Sequence, residues 1–318
     1  MTTTIRAVRT PTLDDVDRAA RVVARYLDPT PVASGSPGPA LKLEGVQPTG
    51  SFKVRGALAA LATVDADVPV VTSSAGNHAL GIAFAAHTLG RRATVVTPAT
   101  ASPVKVAALR RFDVDLVQVG TCYDDAERHA LELAAQGAHY VSPYNDPHVI
   151  AGQATIGVEL ADQLPGPLTV VCGVGGGGLS AGLGLWASTR PDVRVVGVEP
   201  AASAAMGAAV AAGQQVPIDV GATLADGTAG NIEPGSVTID LVSRYVDELL
   251  TVTEDQIRDA VRFLALRRGV IAEGAAAAPV AAVLAGQLAG WASGRGRTVA
   301  VVSGRNIAPA VLADILAG

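Results

Sequence analysis

VPVVTSSAGNHALGIAFAAHTLG, residues 68–90, joins a predicted strand directly to a predicted helix. Its first part, residues 68–74, is a short run rich in β-branched residues, which is typical of a buried strand. Residues 76–90 form an alanine-rich apolar run that predicts a helix ending at Gly90. A buried strand followed at once by a helix is the unit from which parallel α/β sheets are built.

The same alternation continues on both sides of this stretch. Further apolar runs predict strands at residues 40–45, 92–98, 114–120, 139–143, 167–174, 193–200 and 297–302. Helices are predicted at residues 12–27, 102–112, 123–136, 253–268 and 275–290, after Gly178, from about residue 201, and at the C-terminal end. Near-continuous apolar strands separated by helices predict an α/β fold, in which a parallel sheet is covered by helices on both faces.

The composition excludes several classes of protein. Of the 318 residues, 49% are hydrophobic and 17% are charged, which excludes a disordered chain. The net charge of −5 argues against a nucleic-acid-binding protein, and two cysteines are too few for a disulfide framework. No apolar run reaches the roughly 20 residues that a membrane helix needs. Because the N-terminus also lacks the apolar segment of a signal peptide, we expect a cytoplasmic protein.

The loop PTGSFKVRGA, residues 48–57, carries Lys53, one of only three lysines in the chain; the others are Lys42 and Lys105. Arginine cannot lose its proton at neutral pH or form an imine, whereas a desolvated lysine can do both. Lys53 is predicted to open a helix that runs toward Leu61, where the positive end of the helix dipole lowers the lysine pKa. Taken alone, a lysine in such a loop is more often a surface residue.

A glycine-rich loop, VGGGGLSAG at residues 174–182, follows an apolar strand and precedes a helix. Consecutive glycines allow backbone N–H groups to converge on an anion, and the helix N-terminus adds its dipole, so we predict a phosphate site. Gly173, Gly175 and Gly178 also fit the spacing of a dinucleotide-binding motif, with Glu199 as its ribose-binding acid. An NAD-dependent dehydrogenase is therefore an alternative, although it leaves the other loops unexplained.

Two more loops supply hydrogen-bond donors at the ends of strands. SSAGNHALG, residues 73–81, offers side-chain and backbone donors that suit a carboxylate or a phenolic oxygen, and VVSGRNI, residues 301–307, offers the hydroxyl of Ser303 for a ring nitrogen. The four loops together match the aldehyde, phosphate, phenolic oxygen and ring nitrogen of pyridoxal phosphate. Neither zinc-ligand spacing nor the GxSxG motif of hydrolases occurs in the sequence.

At this point the sequence closely resembles the β-family, or fold type II, of pyridoxal-phosphate enzymes, and within it the serine/threonine dehydratases and serine racemases. The resemblance extends from about residue 10 to the C-terminus and rests on the motifs GSFKVRGA, SAGNH, GGGGL and SGRN. It implies an α/β fold like that of tryptophan synthase β, with two open parallel-sheet domains that carry helices on both faces. The implied boundaries are a large cofactor-binding domain at residues 1–68 and 146–318 and a small mobile domain at residues 69–145.

The resemblance also implies a role for each motif. Lys53 is implied to be the catalytic residue and to form an imine with the cofactor aldehyde, while Phe52 lies against the ring. Asn77 is implied to bond the phenolic oxygen, and Ser303 the pyridine nitrogen. The residues implied to hold the phosphate are Gly175, Gly176, Gly177, Gly178 and Leu179. The residues implied to bind the substrate carboxylate are Ser74, Asn77 and His78.

Residues beside these motifs favour a dehydratase over its relatives. Val54 follows the lysine where cysteine and threonine synthases carry an acidic residue. Ala75 stands where the racemases have a serine that acts as the base on the opposite face, so a racemase is disfavoured. Glu199 matches the first carboxylate of the racemases' divalent-metal site, but Ala205 stands at the nearby Asp position, and we expect no metal.

The resulting hypothesis is a lyase that carries out α,β-elimination on a β-hydroxy amino acid and yields a 2-oxo acid and ammonium. Threonine and serine are candidate substrates, although residues 223–236 and 270–278 resemble a dehydratase branch for unusual hydroxy amino acids, including hydroxyectoine breakdown. The alternatives are an amino acid racemase, another pyridoxal-phosphate enzyme of β-elimination or β-replacement, and, more remotely, the NAD enzyme. The expected partner is a small amino acid, without nucleic acid or membrane, and the resemblance implies a homodimer or homotetramer.

Overall fold

The computed structural model describes residues 6–34, 38–289 and 296–318. Within these ranges the strands are β1 (Val32–Ala33), β2 (Ala40–Leu43), β3 (Val70–Ser73), β4 (Ala93–Thr97), β5 (Asp115–Gln118), β6 (His139–Tyr140), β7 (Leu168–Gly173), β8 (Val193–Pro200), β9 (Glu248–Val252) and β10 (Arg297–Val302). The α-helices of the same ranges are α1 (Leu13–Tyr26), α2 (Lys53–Leu61), α3 (Asn77–Leu89), α4 (Pro103–Leu109), α5 (Tyr123–Ala135), α6 (Pro147–Gln163), α7 (Gly178–Ala187), α8 (Ala205–Ala212), α9 (Val237–Tyr245), α10 (Glu254–Arg268), α11 (Gly274–Leu284) and α12 (Pro309–Ala317).

Six strands form a sheet in the order β1-β2-β10-β7-β8-β9. Every neighbouring pair is parallel except β1 and β2, which run antiparallel. Strand β10 lies inside the sheet, where Val299 pairs with Ala40 on one side and with Val170 on the other. The inner strands are mostly buried, since both faces of the sheet are covered. The predicted parallel α/β architecture is confirmed.

A second sheet contains four parallel strands in the order β5-β4-β3-β6, all taken from residues 70–140. Strand β3 is buried at every position, whereas β5, at the edge, is half-buried to exposed. This sheet falls inside the small domain expected at residues 69–145. Those domain boundaries, and the mobility of the small domain, stay predictions.

Element boundaries differ from the sequence-based expectation at several ends. The strand expected at residues 139–143 keeps only His139–Tyr140, because β6 is an edge strand paired with β3 alone and the chain then turns into a loop. The helix expected at residues 275–290 ends at Leu284; residue 290 lies outside the described residues. The helix expected from about residue 201 begins at Ala205, after a 3₁₀ turn at Ala201–Ser203.

Helix α6 packs against α2 on one side and α7 on the other, at positions where only glycine fits. A Cβ atom at Gly152 would lie 2.5 Å from the Cα atom of Gly56. One at Gly182 would lie 2.5 Å from a backbone carbonyl oxygen of α6, and one at Gly157 would lie 2.3 Å from the ring of Trp186. The three helices therefore approach to backbone contact, which fixes α2, and with it Lys53, against α6.

A buried group of ionic side chains anchors the first turn of α2. The Arg55 guanidinium donates to the Glu44 carboxylate at 2.7 and 2.8 Å and also to Glu159. Lys42 donates to Glu159 as well, and to the carbonyl oxygen of Thr30 at 2.7 Å. The side chains of Arg55, Glu44 and Lys42 are fully buried, so the pairing offsets the high cost of desolvating their charges.

Among the described residues, no helix combines the length and the apolar content needed to cross a membrane. Both cysteines are free thiols, Cys122 exposed and Cys172 buried in β7.

Candidate active site

One cavity of about 850 Å³ brings together the loops that the sequence singled out. It opens where parallel strands end, since Ser74 follows β3, Gly173 ends β7 and Ser303 follows β10. Every residue expected in the site lines this cavity, namely Phe52, Lys53, Ser74, Asn77, His78, Gly175, Gly176, Gly177, Gly178, Leu179 and Ser303. The cavity therefore brings together residues that lie more than 200 positions apart in the sequence, such as Lys53 and Ser303.

Lys53 is the first residue of α2 and, among the residues that the structure describes, the one lysine that lines the cavity. Its Nζ atom donates to the carbonyl oxygen of Pro143 at 2.8 Å and lies 5.3 Å from the centre of the Phe52 ring. Burial lowers the Lys53 pKa to about 8, while the nearby Glu273 acts in the opposite direction. Burial, rather than the helix dipole invoked from the sequence, is the main cause of this shift. Burial thus makes the Lys53 amine easier to deprotonate near neutral pH than an ordinary lysine.

The loop after β10 is tied directly to the lysine. The backbone N–H of Phe52 donates to the carbonyl oxygen of Ser303 at 3.0 Å, and Ser51 pairs with Gly304 across an isolated β-bridge. Ser303 is buried, and its residue borders the cavity. These backbone contacts hold Ser303 and Lys53, which are far apart in the sequence, on the same wall of the cavity.

The glycine loop forms a cradle that side chains would fill. A Cβ atom at Gly176 would lie 2.4 Å from the ring of Tyr144, and one at Gly175 would lie 2.8 Å from the Cα atom of Thr228. Gly177 has a φ of 86°, a left-handed conformation that favours glycine, and precedes α7 without a side-chain cap. The first N–H groups of α7 have no partner within the helix, so this loop has the construction of an anion site.

Asn77 is held by two neighbours that the sequence analysis did not assign. Its Nδ2 atom donates to Glu273 at 2.7 Å, and its Oδ1 atom accepts from Asn306 at 2.6 Å. Asn306 also donates to the carbonyl oxygen of Thr49 at 2.9 Å. Burial raises the pKa of Glu273 to about 7. An acidic residue before an alanine-rich helix is typical of an ordinary helix start, so no sequence signal marked Glu273 as part of the site.

His78 and Ser74 each contact a backbone group. The His78 Nε2 atom lies 3.3 Å from the carbonyl oxygen of Val141, and the Ser74 hydroxyl accepts from the N–H of Gly76 at 3.1 Å. Burial lowers the pKa of His78 to about 3, so its ring is neutral near pH 7. A neutral ring cannot provide a positive charge for a substrate carboxylate, and the carboxylate role of His78 stays a prediction.

The comparison with known proteins assigns the family. Residues 27–304 match the family described as pyridoxal-phosphate dependent enzyme. The chain belongs to this family. It is 40% identical, over 309 residues, to an L-threonine ammonia-lyase of Thermotoga maritima, which covers 93% of this chain and 76% of the relative.

Solved structures show the same fold. The processed form of threonine deaminase isoform 2 from Solanum lycopersicum has a TM-score of 0.89 and 30% identity, with full coverage of both chains. Serine racemase from Dictyostelium discoideum has a TM-score of 0.86 and 29% identity, and covers 94% of this chain and 100% of its own. The expected fold type II architecture and pyridoxal phosphate as cofactor are therefore confirmed.

The residues of this family member fit that cofactor. The cavity supplies one buried lysine amine, an uncapped helix N-terminus behind a glycine cradle, the side-chain amide of Asn77 and the residue Ser303. These groups suit an aldehyde, a phosphate, a phenolic oxygen and a ring nitrogen, respectively.

Glu199 caps the start of a helix, which does not fit the ribose-binding role of the dinucleotide alternative. Its carboxylate accepts from the backbone N–H groups of Met206 and Gly207 at 2.8 and 2.9 Å, at the start of α8. The residue is 1% exposed and does not line the cavity, so it is not placed to bind the ribose of a dinucleotide. In the described part of the chain, no group of three or more His, Cys, Asp or Glu side chains is arranged to hold a metal ion.

Proposed function

We propose that this enzyme is an ammonia-lyase that removes water from a β-hydroxy amino acid, such as threonine, serine or a related hydroxy amino acid, and releases a 2-oxo acid and ammonium. The observation that carries the proposal is the buried Lys53 amine in one cavity with the glycine loop, Asn77 and Ser303. The names of the relatives, threonine ammonia-lyase and threonine deaminase, support the same reaction.

Each residue then has a defined task. Lys53 holds the cofactor, and its freed Nζ atom accepts the proton from the substrate Cα atom. Residues Gly175 to Leu179 hold the phosphate through backbone N–H groups, and Asn77 directs an amide N–H at the phenolic oxygen. Phe52 packs against the ring, and Ser74, Asn77 and His78 border the space for the substrate carboxylate. When bound, pyridoxal phosphate supplies the ring that withdraws electrons from the Cα atom.

Two side chains favour elimination over racemisation. Ser303 is a neutral hydrogen-bond donor, which would not require a protonated pyridine ring, so a negative charge at Cα would be stabilised less. Loss of the β-hydroxyl, which takes up a proton and leaves as water, would then be faster than return of a proton to Cα. Ala75 has no group that could deliver a proton to the opposite face of the substrate. We therefore expect little D-amino acid product, even though serine racemase shares the fold.

We also propose that residues 69–145 form a small domain that closes over the substrate. The separate four-stranded sheet supports this division, and residues that follow strands of both sheets, such as Ser74 after β3 and Ser303 after β10, line the cavity. Closure would exclude water while the Cα proton is removed.

The decisive variant is Lys53→Ala in the cofactor-loaded enzyme. Because both the anchor and the base are lost, ammonium release from threonine or serine should fall by at least about 10²–10⁴-fold, and the borohydride-sensitive visible absorbance should disappear. The measurements are ammonium formation, 2-oxo acid formation and the absorption spectrum.

Lys105→Ala is the matched control, since Lys105 is exposed and pairs with Asp226 at the surface. This variant should keep both activity and absorbance. Full activity of Lys53→Ala with added cofactor would exclude the proposed role, and a nicotinamide spectrum in the purified protein would favour the dehydrogenase instead.

A further inference from the structure

A polar wall of the cavity has no task in the proposed elimination. Its lining members are Arg6, Tyr123, Asp124, Glu127, Tyr144 and Glu233. The wall begins beside the phosphate loop, because the ring of Tyr144 packs where a Cβ atom of Gly176 would stand. The Tyr144 hydroxyl accepts from the backbone N–H of Glu233 at 2.8 Å, which continues the wall away from the glycines.

The one arginine of this wall is already neutralised. Arg6 donates to Glu233 at 2.8 Å and to the carbonyl oxygen of Asn145 at 3.0 Å. Its guanidinium also lies 4.9 Å from the centre of the Tyr140 ring. A substrate carboxylate would have to displace Glu233 from Arg6, so this wall is not prepared for an anionic side chain.

Glu127, in contrast, is bonded only to neutral groups among the residues that the structure describes. Its Oε1 atom accepts from the Tyr140 hydroxyl at 2.9 Å and from the Tyr123 hydroxyl at 3.2 Å. The residue is half-buried, and burial raises the pKa of its carboxyl group. The two phenols hold the carboxylate in place on α5 without compensating its charge.

We infer that Glu127 selects β-hydroxy amino acids whose side chain extends beyond the β-carbon and ends in an ammonium group. This wall carries three carboxylates, Asp124, Glu127 and Glu233, and one guanidinium, which is paired with Glu233, so its net charge favours a cation over an anion. A methyl end would leave the half-buried Glu127 without a charged partner, whereas an ammonium would pair with it. The inference rests on the proposed function and specifies its substrate class.

The catalytic test compares two substrates of equal length in the holoenzyme. 3-Hydroxyornithine ends in an ammonium group, and 3-hydroxynorleucine carries a methyl group at the same place. We expect kcat/KM to be about tenfold or more higher for 3-hydroxyornithine, and Glu127→Gln to reduce this ratio by about tenfold. Gln keeps the oxygen that accepts from both tyrosines, so the wall itself is preserved.

Glu132→Gln is the matched control, because Glu132 lies on the same helix, is exposed and does not line the cavity. This variant should leave the ratio unchanged. An equal kcat/KM for the two substrates, or an unchanged ratio in Glu127→Gln, would overturn the inference about Glu127. If the enzyme still released ammonium from threonine or serine, the proposed function would stand.

A binding measurement separates the two proposals completely. L-Ornithine and L-norleucine lack the β-hydroxyl, so neither can eliminate water, and their binding is followed by the change in cofactor absorbance. We expect ornithine to bind about tenfold more tightly, and this preference to be lost in Glu127→Gln. Equal affinities of the wild type for ornithine and norleucine would refute the cation site even if no hydroxy amino acid were turned over. A preference of the wild type for ornithine that disappears in Glu127→Gln would support the cation site in that same case.

Discussion

At the scale of single residues, the contacts of Asn77 show how the site positions a neutral amide. Glu273 accepts one N–H of its Nδ2 atom, and Asn306 donates to its oxygen, so the amide plane is fixed from both ends. The second N–H of Nδ2 stays available for the phenolic oxygen of the cofactor. Glu273 therefore acts as a positioning residue, and its protonation state is coupled to folding.

Glu273 should make stability depend on pH. Its folded-state pKa of about 7 lies above the ordinary value of 4.5, so between these values the unfolded chain ionises first. The contribution of Glu273 to the free energy of unfolding is greatest below about pH 4.5, where its carboxyl group is protonated in both states. This contribution is lost as the pH rises from about 4.5 to about 7. The free energy of unfolding of the wild type, relative to Glu273→Gln, should therefore decrease across this window.

Urea denaturation at pH 5 and pH 8, with excess cofactor, measures this difference. Glu132→Gln serves as the control for loss of a surface carboxylate. A difference between wild type and Glu273→Gln that stays constant from pH 5 to pH 8 would contradict the prediction.

Residue chemistry explains what the sequence revealed about the site. Lys53 was identifiable because few side chains form an imine, and the glycine loop because its spacing serves an anion. The Arg6–Glu233 pair joins residues 227 positions apart, and no local pattern connects them. Glu127 lies on an amphipathic helix, where a glutamate normally belongs to the solvated face.

At the scale of elements, helix α2 depends on a charge network below its first turn. Arg55 stands two residues after Lys53, and its guanidinium joins Glu44 to Glu159 of α6. Strand–helix alternation made α2 and α6 predictable, since it follows from apolar periodicity. The ionic contact between them was not predictable, because burial of a charged residue depends on tertiary packing.

Arg55→Met should destabilise the protein strongly. Removing the guanidinium leaves the fully buried Glu44 without a charged partner and Glu159 with Lys42 alone, and breaking a buried pair in this way costs about 3–5 kcal/mol in comparable cases. Urea denaturation of the cofactor-loaded enzyme gives the free energy of unfolding. Arg258→Met breaks an exposed pair with Asp314 and should cost no more than about 1 kcal/mol. A similar loss of unfolding free energy in Arg55→Met and Arg258→Met would contradict the prediction that the buried network stabilises α2 more than an exposed ion pair would.

At the scale of the whole molecule, the proposed cofactor site is built from elements of distant parts of the chain. Lys53 opens α2, Asn77 opens α3, the glycine loop precedes α7 and Ser303 follows β10. A ligand that binds this arrangement and not the unfolded chain must stabilise the fold as a whole. The alternation of strands and helices predicted this convergence, while the strand order and the shape of the wall required the three-dimensional structure.

Cofactor removal should therefore lower the unfolding temperature. At a concentration 100-fold above its Kd, pyridoxal phosphate should add about 2.7 kcal/mol to the free energy of unfolding. Pyridoxine phosphate, which has the same ring and phosphate but no aldehyde, should stabilise less, and Lys53→Ala should abolish this difference. Calorimetry of the apo and loaded forms provides the comparison, and equal unfolding temperatures would be incompatible with the assignment of this cavity.

The glycine contacts among α2, α6 and α7 bear on how this enzyme can change. Since α6 meets the backbone of α2 and of α7 at these glycines, the packing beneath the cavity leaves no room there for a larger side chain. Alanine substitutions at Gly56, Gly152 or Gly157 should destabilise the fold and be lost from a library selected for folded, active enzyme. We therefore expect substitutions that change substrate specificity to be tolerated better in the cavity loops other than the glycine loop than at these helix contacts.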